Sequence, residues 1–89
     1  MTKWRLEVAA SAERTLARLP HAAATAVVEL MVGALVESPT VVGKPLRREL
    51  DGYWSARRGA YRVIYRLDDE ARVVTVVLIE HRADVYRRR

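Results

Sequence analysis

Apolar and polar residues alternate where the chain begins. Trp4-Arg5-Leu6-Glu7-Val8 puts every second side chain on one apolar face, which predicts a strand with one buried side. The period then lengthens. Ala12, Leu16 and Leu19 share a face of a helix predicted over about 12–19, with Ser11 at the N-cap and Glu13 in the first turn, where its charge suits the helix dipole. Pro20 ends that helix and also suits the first turn of the next. From His21 to Val36, the residues Ala22, Val27, Leu30, Met31, Ala34 and Leu35 form a second stripe at helical spacing. A tight turn at Leu19-Pro20-His21 makes the pair an αα-hairpin, which Ser38-Pro39 closes.

Gly43, Pro45 and Gly52 punctuate a loop or short extended run from Thr40 to Gly52. A strand is predicted at Tyr53 to Arg57, followed by a turn at Arg58-Gly59-Ala60. Tyr61 to Leu67 alternates cleanly, with Tyr61, Val63, Tyr65 and Leu67 on one face and Arg62, Ile64 and Arg66 on the other. Asp68-Asp69-Glu70-Ala71 reads as an acidic hairpin turn. Arg72 to Glu80 is apolar on both faces and rich in β-branched residues, the pattern of a central strand covered on each side. The order β-α-α-β-β-β predicts an α+β fold, a small antiparallel β-sheet backed by an N-terminal αα-hairpin. Residues 1–89 form a single domain, long enough for a core but with little to spare.

Charge changes this picture. Residues 1–43 carry four basic and four acidic side chains, whereas residues 44–89 carry twelve basic and seven acidic, so the whole excess of +5 lies in the second half. Such an asymmetry points to an anionic partner met by that half. With no cysteine, disulfides, thiol nucleophiles and Cys-based metal sites are excluded, and the two histidines show no metal-ligand spacing. No apolar run approaches the ~20 residues a membrane span needs. The chain reads as cytoplasmic, where nucleic acid is the commonest partner of a small basic protein.

The candidate chemistry falls between Gly43 and the C-terminus. Arg62 and Arg66 project from one strand face, either to bridge phosphates or as solvated cations. Arg57-Arg58-Gly59 is expected to join that face as one concave cationic patch, with Lys44, Arg47 and Arg48 as a second basic run within reach. Basic side chains interleaved with Tyr53, Trp54, Tyr61 and Tyr65 suit a phosphate backbone and unstacked bases, although Tyr61 and Tyr65, opposite Arg62, fit the core better. His81, an imidazole among the cations, is either a general acid/base or a hydrogen-bonded residue at a strand end. Tyr86 either meets a base or pins the tail to the sheet. There is no Gly-rich phosphate loop, no Ser/His/Asp order and no catalytic carboxylate pair. An enzyme built this way would work through cations, which suffices for RNA cleaved by its own 2′-OH.

The run Lys44-Pro45-Leu46 … Leu50-Asp51-Gly52 … Trp54 … Arg57 … Gly59-Ala60-Tyr61-Arg62-Val63-Ile64-Tyr65, with His81-Arg82 and Val85-Tyr86-Arg87, resembles the RelE toxin family of the RelE/ParE superfamily of type II toxin–antitoxin systems. The resemblance covers nearly the whole chain. It implies a RelE-like fold and a ribosome-dependent endoribonuclease, an mRNA interferase that cuts mRNA in the A site without metal or cofactor and leaves a 2′,3′-cyclic phosphate. It also implies a RelB-like antitoxin that masks the basic surface and joins the toxin in repressing their operon.

Carried over by position, Arg62 matches the family's arginine at the scissile phosphate, and Arg82 the arginine that stabilises the transition state. Tyr86 matches the tyrosine that stacks on or activates the nucleotide, and Arg57 a basic position of the preceding strand. Ser55 departs from the Lys or Arg often found there, and Ala60 from an acidic residue. Proton transfer then falls to an arginine or to His81. ParE-like members share the fold but inhibit DNA gyrase without cutting RNA, which leaves a second activity open. A third reading is an RNA-binding module without catalysis.

Overall fold

The computed structural model describes residues 3–82. Strand β1 (Arg5–Val8) leads into helix α1 (Ala10–Arg18) and, across Leu19-Pro20, into α2 (His21–Leu30), which continues as one π-helical turn at Met31–Leu35. A short helix α3 (Pro39–Val42) precedes the two-residue strand β2 (Lys44–Pro45) and a 3₁₀ turn (Arg48–Leu50). Strands β3 (Tyr53–Arg58), β4 (Tyr61–Asp68) and β5 (Val73–His81) complete one five-stranded sheet in the order β1-β5-β4-β3-β2. No helix among the described residues is long and apolar enough to cross a membrane.

The α+β architecture is the expected one, but the sheet is mixed. β2 to β5 form an antiparallel meander, and β1 runs parallel to β5. The alternation at Trp4–Val8 fixes which side chains face inward. It carries no information on strand direction, which follows from where the intervening helices and meander return the chain.

The inner face of the sheet is the core. Val27, Leu30, Met31 and Leu35 from the helices pack on Ala56, Val63, Tyr65, Val74, Val76 and Ile79, all at most 3% exposed. The first helix begins differently from expectation. Ala9, extended at φ −67° and ψ 154°, is the N-cap, and Ser11 lies inside the first turn. The Ser11 hydroxyl donates to the Val77 carbonyl (2.9 Å), and the Ala9 N–H donates to the Val76 carbonyl (2.8 Å). Ser11 thus docks α1 on β5 where a local cap was predicted, because the sheet offers a free carbonyl there.

That carbonyl belongs to a bulge. Ile64 pairs with Leu78 and the next residue, Tyr65, pairs with Val76, so Val77 has no counterpart on β4. The bulge shifts which residues of β5 point inward: Ile79 before it, Val76 and Val74 after it. This accounts for an apolar run with no clean period. Position between β1 and β4 makes β5 an interior strand, as expected.

Candidate functional site

The outer face of the sheet carries polar rows across three or four strands, each set by register. Lys44, Ser55, Ile64 and Leu78 form one row, and Arg57, Arg62 and Glu80 form the next. Tyr53, Arg66 and Thr75 form a third, four residues along β4 from Arg62, or roughly 13 Å away. Between β2 and β4 lies an open groove of about 610 Å³ lined by Val42, Lys44, Leu46, Ser55, Arg57 and Arg62. Three cations stand over a floor of small and apolar groups, an arrangement suited to an anionic ligand with flat apolar faces.

Buried contacts position the groove's outer wall. Tyr65, fully buried, donates its hydroxyl to the Pro39 carbonyl at 2.6 Å and so ties α3 to β4. Burial pushes the Tyr65 phenol from 10.0 up to about 12, which keeps it a donor throughout the neutral range. Gly43 is required at this point, since a β-carbon there would meet the Tyr65 hydroxyl and would lie 2.8 Å from the Ser55 carbonyl. The chain leaves this contact directly into Lys44, whose register with Ser55 sets it at the groove.

Arg62 and Arg57 differ although they are paired. Arg57 is exposed, while the Arg62 side chain is 34% exposed and reaches Glu80, with Nη2 3.5 Å from Oε1. The Glu80 side chain is only 9% exposed. The Nε of Arg62 is buried with no hydrogen-bond partner among the described residues. A cation held this way has fixed direction and unused donors.

The other candidate residues are divided by the sheet. Arg58, expected in the same patch as Arg57, pairs with Tyr61 on the inner side and lines a small apolar pocket with Ala22, Ala23 and Ala26. Strand β3 continues through Arg58, and alternation therefore sends the two neighbouring arginines to opposite faces. His81 also pairs with Tyr61, its ring meeting the tyrosine edge-to-face at 5.0 Å, on the side away from Arg62. Arg82 is exposed and its N–H donates to the Ala60 carbonyl (2.7 Å), which places it beside the β3–β4 turn. Arg47 and Arg48 are exposed around the 3₁₀ turn, with Arg48 at φ 63°, and Arg66 is exposed beside Tyr53. Tyr86 lies outside the described residues.

Glu80 was missed by sequence reasoning. Counting back from the β4–β5 turn, where Asp68 meets Val73, an unbroken ladder pairs Arg62 with Ile79; the Val77 bulge shifts the register by one and brings Glu80 opposite Arg62. Only a lone acid near the end of an apolar strand hinted at it.

Comparison with known proteins adds a lineage to this geometry. A family model described as the ParE toxin of the type II toxin–antitoxin system parDE matches residues 6–86. Toxin RelG of Mycobacterium tuberculosis (strain ATCC 25618 / H37Rv) is 54% identical over 78 residues, covering 88% of this chain and 90% of that protein. Toxin RelE of the same organism is 44% identical over 84 residues, covering 94% and 87%. Among solved structures, the toxin–antitoxin complex RelBE2 of Mycobacterium tuberculosis contains a chain with a TM-score of 0.87 and 46% identity, over 91% of this chain and 100% of that one. The isolated Escherichia coli RelE toxin shares the fold at a TM-score of 0.75 and 23% identity, over 94% and 92%.

Proposed function

The chain belongs to the RelE/ParE family of type II toxin–antitoxin toxins, and we propose that it is a ribosome-dependent endoribonuclease that cuts mRNA in the A site and stops translation. The observation that carries this reading is the cationic groove, in which Lys44, Arg57 and Arg62 face one open space. Such a groove takes a bent single strand by its phosphates.

The reaction asks little of side-chain nucleophiles. The substrate's 2′-oxygen bonds to phosphorus while the bond to the 5′-oxygen breaks, leaving a 2′,3′-cyclic phosphate and a 5′-hydroxyl. One proton leaves the 2′-OH and one reaches the departing oxygen. In this mechanism Arg62 meets the scissile phosphate and Arg82 stabilises the charge that develops on it. Arg57 and Lys44 hold the flanking backbone, with Arg47, Arg48 and Arg66 as outlying contacts to RNA. Tyr86 stacks on the nucleotide, whereas His81, packed on Tyr61 on the opposite face, lies away from the groove. No metal or cofactor enters the scheme.

Relatives have been crystallised with RelB-type antitoxins. The matching partner here is a RelB-like antitoxin that covers the groove and neutralises the toxin in the cytoplasm. The test is a reconstituted translation reaction with mapped mRNA ends. Cuts should fall in the A site, and Arg62→Ala and Arg82→Ala should each slow them by about 10²–10³-fold, the usual cost of one transition-state donor. Intact mRNA at saturating toxin would sink the reading. The match to a ParE family model favours one alternative, inhibition of DNA gyrase. Loss of supercoiling activity without RNA cleavage would select it.

A further inference from the structure

We infer that Glu80 is a positioning residue of the groove: its carboxylate holds Arg62 by Nη2 and presents the rest of the guanidinium to the bound phosphate. This deepens the ribonuclease reading and rests on it for the identity of the phosphate. Register sets Arg57, Arg62 and Glu80 in one row across three neighbouring strands. Like charges directly opposed across a strand pair repel, so Arg57 and Arg62 left to themselves would splay apart. Glu80 supplies the opposite charge on the far side of Arg62 and draws it toward β5.

The burial difference decides how firmly. Glu80 is 9% exposed and Arg62 34%. A carboxylate so far out of water attracts the cation beside it strongly, which restrains Arg62. Arg62 nonetheless lines the groove on its other side. One Nη is thus engaged with protein, while other guanidinium donors remain for a ligand, and a guanidinium carries five donors in a rigid fork. Exposed Arg57, with no ion pair to it among the described residues, is the mobile member of the pair. Arg62 is the preorganised one, and transition-state stabilisation depends on donors already fixed before charge develops.

Two readouts on the full chain test this. In the first, the Arg62 Nε–H resonance of the free protein is followed by NMR. In the wild type it should be dispersed and slow to exchange with solvent. Glu80→Ala should shift it toward the exposed arginines and speed exchange, with backbone amides of the core unchanged. In the second, single-turnover cleavage on programmed ribosomes is measured. Glu80→Ala should slow the cleavage step by about 10²-fold, the scale of a 1 Å misplacement. The mRNA concentration at half-saturation should hold or fall, because a negative charge has been removed beside RNA. Glu80→Gln, which keeps the acceptor and the shape, should recover all but roughly tenfold of the rate. An Arg62 Nε–H unmoved by Glu80→Ala would overturn the proposal, as would cleavage within twofold of wild type or a loss confined to half-saturation. Should the wild type cut no mRNA, the ribonuclease reading falls and the NMR arm alone decides whether Glu80 holds Arg62.

Discussion

The two faces of the β3–β4–β5 sheet are written in alternate residues of the same strands, yet different physics holds them. On the inner face Val63, Tyr65, Val74, Val76 and Ile79 are at most 3% exposed and close-packed beneath the helices. There volume decides, since every lost methyl leaves a gap. On the outer face, one position along, Arg57 and part of Arg62 meet water, and Arg62 also meets the mostly covered Glu80. There charge decides, and partly exposed ion pairs add little to stability. The lesson is a division of labour by parity: the inner face makes the protein fold, and the outer face is left to charge.

Removing volume from the inner side should produce the largest effect. Leu35, fully buried, lies in the helix layer over the sheet. Leu35→Ala should cost about 2–5 kcal/mol, read as a lower urea midpoint. A neutral result would mean that the inner face is not close-packed.

Tyr65 tests a buried side-chain hydrogen bond of the core. Tyr65→Phe leaves the Pro39 carbonyl without its 2.6 Å partner and should cost about 1–3 kcal/mol. The burial of the same phenol predicts a pH dependence. The folded-state pKa of about 12 is raised above the ordinary 10.0, so the stabilisation is complete below pH 10 and is lost as pH rises toward 12. Alkaline unfolding should therefore be steeper in the wild type than in Tyr65→Phe. Equal slopes would show that the phenol does not titrate out of the fold.

The smallest effect is expected on the outer face. Arg57→Ala should leave the urea midpoint nearly unchanged, within about 0.5 kcal/mol. RNA binding should weaken by a similar factor for different sequences, and the salt slope should fall by about 0.7, the share of one phosphate contact to a single strand. A sequence-dependent loss would turn Arg57 from a phosphate contact into a base reader.

Much of this division was legible in advance. Alternation along Tyr61–Leu67 separated Tyr61 and Tyr65 from Arg62, and the two helical stripes located the cover of the core. The expectation of one patch at Arg57 and Arg58 depends on a turn at Arg58. The strand runs one residue further and splits them. His81, two residues beyond an inward Ile79, falls on the inner side for the same reason. Ser11 has a good cap sequence, but its hydroxyl goes to Val77, a residue sixty-six positions away.

By itself, then, the sequence determined the elements β1, α1, α2, β3, β4 and β5, their order and the face on which each side chain of β4 lies. Those depend on spacing within one segment, and period is a local property. Tertiary structure alone decided that β1 runs parallel to β5, that a bulge falls at Val77, and that Glu80 consequently stands beside Arg62. Register between strands is a compromise among the core packing of both, the turn that joins them and the helix docked on the bulge. A one-residue shift in that compromise is invisible in either strand's own pattern, and here it chooses the partner of the site's central arginine.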